Sequence, residues 1–416
     1  MGIKHSLRNA ACAGLLLALA AASSPAFAAE KPKVRAITAF VRLDRASYQA
    51  QIHNTLDFLR KAKAEFEKAG YEVETIRIST QPFPEYTRGL TRGQALDFFH
   101  EYDQLAAREN FIAAIGPAML NDSDDPAQAA LLGEILKTNP NLDASLVVAG
   151  EDGVHWRAVH AAARLMKFLA EESAGSQGNF HFAATSMLPE GTPFYPASYH
   201  RGAGHSFAVA LESANVVNEA LASAPGDPAA ARHALVTSLG AHARAIEVVA
   251  LRIAKQSGWR YGGMDLSPAP LKDVSIGAAL ESFTGQRVGA SGTMTAAAVI
   301  TAALRDIPVK HAGYSGLMLP VLEDSRLAQR WSEGSLTLDS LLAYSAVCGT
   351  GLDTIPLPGD VTEDQLARII GDMASLSVKW RKPLSARLLP VKGKKAGEKS
   401  AFDDPYLVNA TLQPLP

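Results

Sequence analysis

"ASLVVAGEDGVHWRAVHAAARLMKFLAEESAGSQGNFHFAATSML", residues 144–188, is the stretch that decides the fold. It opens on the apolar run ASLVVAG, carries apolar residues at helical spacing through 153–173, and closes on a second strand signal, FHFAATSML. Two strands joined by a helix of that length need a crossover connection, and crossover connections pair strands in parallel. The same alternation runs back to the start of the folded chain. VRAITAFVRL (34–43) reads as a strand, and 48–70 as a helix stopped at Gly70. YEVETIRIS (71–79) alternates as a half-buried strand does, and a helix over 91–110, strand FIAAIGPA (111–118) and a helix near 126–138 follow. Strands and helices in this order make an α/β protein.

The middle of the chain reads as two long helices, 203–224 and 227–258, the second announced by Asp227-Pro228. Strand RYGGMDLSP (260–268), helices over 275–283 and 295–304, strand GYSGLMLPVL (313–322), a helix over 362–377 and strand LSARLLPV (384–391) complete the pattern. No linker divides the chain, so residues 29–416 are expected to form a single large α/β domain.

Residues 1–28 have the make-up of a secretory signal: Lys4 and Arg8, the apolar run ACAGLLLALAAA, and SSPAFA before a cut after Ala28. The run is shorter than the roughly 20 residues of a membrane span. The expectation is a periplasmic or secreted protein with no stable membrane insertion after cleavage. Cys12 would leave with the signal, so Cys348 would be the one thiol retained. Net charge of −2 gives no electrostatic case for nucleic acid or an anionic membrane surface. The expected partner is a small-molecule ligand, with homo-oligomer formation left open.

Familiar motifs fail. Gly393-Lys-Lys-Ala-Gly-Glu-Lys-Ser misplaces the glycines and lysine of a P-loop, and Gly349-Thr-Gly351 lacks the third glycine of a dinucleotide fingerprint. Gly289-Ala-Ser-Gly and Gly313-Tyr-Ser-Gly are not hydrolase elbows. His155 and His160 lie five apart on a helix, about 140° apart in direction, and cannot share an ion. His200 and His205 could converge near Glu212, but no further ligand completes a set, so no metal is assigned.

TSMLPEGTPFYPASYHRGAGH (185–205) is the strongest local feature. Prolines stiffen a loop that carries Glu190, Tyr195, Tyr199 and His200 beyond the carboxyl end of a strand, where α/β proteins place sites. The plain alternative is a stapled crossover whose His200 bonds backbone. Asp265 sits at a strand end between glycines and prolines, and Glu281 near a helix end. Ser291 and Thr293 open a helix whose free N–H groups could hold an anion. Each has a structural alternative as a cap or a solvated group. Cys348 lies among glycines with Gly349 and Asp353 behind it. A nucleophilic thiol would need a depressed pKa, with Gly349 and Gly351 amides near a developing oxyanion; a structural thiol needs only a small cavity.

FHFAATSMLPEGTPFYPASYH, GMDLSPAP, GTMTAAAVITAAL, GYSGLMLPVLED, AVCGTGLDTIPLPGD and KPLSARLLPVKGKKAG together resemble the domain of unknown function 711 family, also called uncharacterised protein family 0210. The resemblance covers nearly the whole chain beyond the signal. It implies a barrel-like α/β fold similar to the ten-stranded barrel of pyruvate formate-lyase and ribonucleotide reductase, with Cys348 on a central finger loop. AFDDPYLVNATLQPLP carries no Arg-Val-x-Gly-Tyr-type motif, so the resemblance does not extend to glycyl radical chemistry. The expected function is an enzyme acting on a small polar metabolite in the barrel. Cys348 would be the reacting thiol and His200 or Glu190 the base, with Tyr199, Asp265, Glu281, Ser291, Thr293, Gly349 and Asp353 about the ligand. The alternative is a periplasmic binding protein without chemistry. No cofactor is named by the sequence.

Overall fold

The computed structural model describes residues 30–415, so the segment 1–28 expected to be a secretory signal, with Cys12, lies outside the described residues. The strands are β1 (Lys33–Phe40), β2 (Val73–Ser79), β3 (Ile112–Pro117), β4 (Leu142–Gly150), β5 (Gly153–Val154), β6 (Phe182–Ser186), β7 (Ser206–Glu212), β8 (Arg260–Ala269), β9 (Gly351–Pro358) and β10 (Leu384–Val391). They form one ten-stranded sheet in the order β8-β7-β1-β2-β3-β4-β6-β10-β9, with β5 paired to β4 alone. β1 to β4 and β6 run parallel, while β7 and β10 pair antiparallel to β1 and β6. The unit over 144–188 is as expected: helix Trp156–Glu172 carries the chain from β4 to a parallel β6 in register Ala144↔Phe182.

The edge strands β8 and β9 do not pair with each other. Residues 310–321 run between them and bond to both. The Met264 and Ala312 amides exchange bonds with the Lys310 and Met264 carbonyls at 2.7 and 2.9 Å. Gly349 N–H donates to Leu317 O at 2.8 Å and Val321 N–H to Asp353 O at 3.0 Å. The sheet therefore curls into a barrel whose last stave is irregular. A regular strand was expected over 313–322; isolated bridges at Met264↔His311 and Pro320↔Asp353 are what forms. The cause is local. The buried Asp265 carboxylate accepts the amides of Tyr314, Ser315 and Ser267 at 2.7, 2.9 and 3.0 Å and the Ser267 hydroxyl at 2.7 Å, which draws the backbone off a straight ladder. Gly349 lets the stave close in, since a Cβ there would stand 2.5 Å from the Gly316 carbonyl carbon.

Period-two alternation sorts the barrel's two faces. Ile76 and Ile78 of β2, Leu142, Ala144 and Leu146 of β4, and Leu384, Ala386 and Leu388 of β10 point outward into the main core with the helices. Thr75, Arg77, Asp143, Ser385 and Arg387 point inward. A β-bulge where β1 meets β7, between Val34 and Ala36, keeps Arg35 and Ala36 both on the inner side.

A second, smaller apolar cluster fills the barrel. Ala36, Ala210 and Ala269 give small inward faces, and Leu188, Phe194 and Ala197 pack on them with Tyr314 and Met318. The loop threaded into the barrel is thus 187–200, anchored by Thr38 Oγ1 donating to Pro193 O at 3.0 Å and Ser198 Oγ to Ser79 Oγ at 2.9 Å. The finger position expected for the Cys348 loop is held by this segment instead. The helix expected over 203–224 is β7 followed by helix Ala214–Ala222. SFAVALE is buried throughout, and a strand covered on both faces shows no period to betray it.

Candidate functional site

Beneath the finger loop, at the amino ends of β2 to β4 and the carboxyl end of β8, the barrel holds a cavity of about 610 Å³. Its walls include Arg35, Arg77, Arg387, Glu74, Asp143, Glu323 and Asp353, with aromatic cover from Phe180, Tyr195 and Tyr406. A larger surface groove of about 850 Å³ between residues 82–95 and 117–134 holds no comparable buried charge cluster; Arg92 there already pairs with Glu134 at 2.6 Å.

Two of the three guanidiniums are tied up. Arg35 Nη1 donates to Glu74 at 3.0 Å and Glu212 at 2.9 Å, and Nη2 lies 3.8 Å from Glu323. Arg387 Nε donates to Asp353 at 2.7 Å and Nη2 to Glu323, with the Phe180 ring 4.9 Å away. Although burial opposes its charge, Asp353 and Glu323 hold Arg387 firmly protonated. Burial, reinforced by Glu74, pushes the Glu212 carboxyl up to about 7. Burial also raises Glu323, against the pull of Arg387. Arg77 differs. Its Nε donates to Thr75 Oγ1 at 3.0 Å, the Tyr195 ring lies 4.8 Å from its guanidinium carbon, and no carboxylate comes within ion-pair distance among the described residues.

Of the candidates named from the sequence, Asp353 lines this cavity, and the loop 185–205 reaches it through Phe194 and Tyr195. The others lie elsewhere. Cys348 is 1% exposed, and burial pushes its thiol up against the opposing pull of Lys382, whose Nζ donates to the Cys348 carbonyl. His200 is buried with its amide on Thr80 O, and burial and nearby arginines keep its imidazole neutral at pH 7. Glu190 and Ser291 are exposed. The Tyr199 hydroxyl donates to Leu188 O at 3.3 Å, and Asp265 and Gly349 hold the barrel's last stave. Glu281 accepts from Arg330 at 2.6 and 2.9 Å and from Arg326 at 2.9 Å, and Thr293 Oγ1 accepts the Gly289 amide at 3.1 Å. Glu212, weighed as a metal ligand, belongs to the Arg35 cluster.

A raised thiol pKa and full burial leave little thiolate and no approach for a reagent. Iodoacetamide is therefore expected to leave Cys348 unmodified in the folded protein and to alkylate it only after denaturation. Modification at the rate of a free thiol under native conditions would contradict this placement.

The chain matches the profile of the family described as Uncharacterised ACR (DUF711) over residues 27–403. The UPF0210 protein of Pyrobaculum arsenaticum is 35% identical over 80% of this chain and 76% of its own length. That of Pyrobaculum aerophilum is 32% identical over 82% and 79%, and that of Pelotomaculum thermopropionicum 30% over 80% and 77%. Among solved structures, the anaerobic ribonucleotide reductase from Thermotoga maritima, crystallised with dATP and CTP, is similar at a TM-score of 0.42 and 11% identity, covering 91% of this chain and 81% of that one. This chain belongs to the uncharacterised DUF711 family, to which the UPF0210 proteins are its relatives.

Proposed function

We propose that the chain acts on a small polar metabolite held in the barrel cavity, by proton transfer among the carboxyl groups around it. The observation that carries this reading is a surplus over the permanent cations: Glu74, Glu212, Glu323, Asp353 and Asp143 cluster with Arg35, Arg77, Arg387 and Lys33, which lies 3.7 Å from Glu74, and with the His181 ring 3.4 Å from Asp143. A buried cluster with more acids than bases retains protons, in keeping with the raised Glu212 and Glu323. A carboxyl whose pKa burial raises, Glu212 or Glu323, can give a proton to one ligand atom while a neighbouring carboxylate takes one from another, so the ligand's protons are relocated and nothing else is gained or lost. A second reading, binding without chemistry, draws on Arg35 and Arg387 being fixed in ion pairs as a rigid frame. A third puts the reaction at Cys348 with His200 or Glu190 as base; the buried thiol's raised pKa weighs against it. The leader read in residues 1–28 supports a periplasmic or secreted setting.

The test is a metabolite panel incubated with the protein in heavy water, followed by melting temperature and by NMR of each compound. The proposal expects at least one compound that both raises the melting temperature and gains solvent deuterium or changes structure. Stabilisation without any change selects the binding reading. No stabilisation by any compound contradicts both.

A further inference from the structure

Arg77 is the guanidinium in the cavity without a carboxylate partner among the described residues. It is 7% exposed, its Nε bonds Thr75, and neither Nη nitrogen makes a hydrogen bond to the described residues. A guanidinium remains protonated in a protein, and a buried cation without a counter-charge is costly to keep. The two others in the same cavity each have carboxylates within 3.0 Å. Arg77 is also held still: Thr75 fixes one edge and Tyr195, on the finger loop, covers a face. A planar fork with both Nη groups free, fixed in orientation and open to a cavity, is a receptor for a planar oxyanion. We infer that the metabolite is a monocarboxylate whose carboxylate docks on Arg77, an inference that rests on the cavity being the ligand site.

The charge around Arg77 narrows the anion. Glu74, Asp143, Glu323 and Asp353 line the same space, and Asp143 and Glu74 already act on Arg77 from beyond ion-pair distance. A dianionic phosphate would add a second negative charge to a site with a carboxyl surplus. A carboxylate adds one, which Arg77 balances, and its two oxygens match the fork.

The experiment uses the full chain labelled with ¹⁵N-arginine and titrates it with propionate, its neutral isostere propionamide, and inorganic phosphate. Arg77 signals are assigned by their loss in Arg77→Met, with Arg77→Gln in reserve should that variant fail to fold. The expected result is a saturable shift of the Arg77 signals with propionate, and binding about tenfold or more weaker for propionamide and for phosphate. Both variants should lose the propionate response at Arg35 and Arg387. If Arg35 and Arg387 respond to propionate while Arg77 does not, or respond equally in the variants, the cavity receives ligands and the Arg77 inference is overturned. Tighter binding of phosphate than of propionate also overturns it. No response at any of the three arginines overturns the inference and counts against the cavity itself.

Discussion

Replacing Arg387 with methionine is expected to cost about 3–5 kcal/mol of folding stability at neutral pH, read from urea denaturation. Methionine keeps much of the side chain's length and its contact with Phe180, so packing changes little. What goes is, among the described residues, the one cation that bonds both Asp353 and Glu323 inside the barrel. Two buried carboxylates would then face each other with Arg35, 3.8 Å from Glu323, as the nearest relief. The penalty has a pH signature. Burial already raises the Glu323 carboxyl against the pull of Arg387, and without that guanidinium its folded-state pKa climbs further above the unfolded value, near 4. Below that value Glu323 is protonated in either state and the variant loses little. As pH climbs through it, the folded state must give up a proton it holds more tightly than the unfolded chain, so stability falls until the raised value is passed. A deficit as large at pH 3.5 as at pH 8 would mean the loss is packing, not charge.

Asp265→Ala is expected to have the larger effect on the fold. Three buried amides and the Ser267 hydroxyl lose their acceptor together, and each unsatisfied buried group costs about 1–3 kcal/mol. The same change unclasps residues 310–321, the stave that joins β8 to β9. Hydrogen exchange should rise first at the amides of Met264, Ala312 and Gly349, which bridge that seam, and the melting temperature should fall sharply. A variant that melts like the parent, with those amides still protected, would show that the seam holds without its carboxylate. Because Asp265 is spent on the fold, this loss would carry no information about chemistry in the cavity.

Much of the framework could be read from hydrophobic period. The crossover from β4 to β6, the helix after Asp227 and β10 all declare themselves, because each buries one face or one apolar run. Alternation was less decisive than it looked in VETIRIS. Thr75, Arg77 and Ser79 had the spacing of a solvent face, yet that face lines a polar barrel interior, and period two is the same in either case. SFAVALE hid a strand because both of its faces are covered. Among site residues, Asp353 was legible from its place just behind the glycines that follow Cys348, although it lies in β9. Arg35, Arg77 and Arg387 were not: each stands alone in its own strand, and only the register of β1, β2 and β10 brings them together. Sites at the carboxyl ends of parallel strands are a rule for open sheets. Here the finger loop 187–200 enters from that end, and the cavity is left at the other, under Tyr195.

If the ligand is bound and turned over in the arginine–carboxyl cavity, the buried thiol of Cys348 is dispensable for both. The most direct measurement is turnover or binding of the metabolite found in the screen by Cys348→Ala, compared with the parent protein at matched folding. The variant is expected to retain both, since Cys348 lies in the core and lines no wall of the cavity. A folded variant that binds the metabolite normally and has lost turnover would contradict it, and would move the chemistry to Cys348.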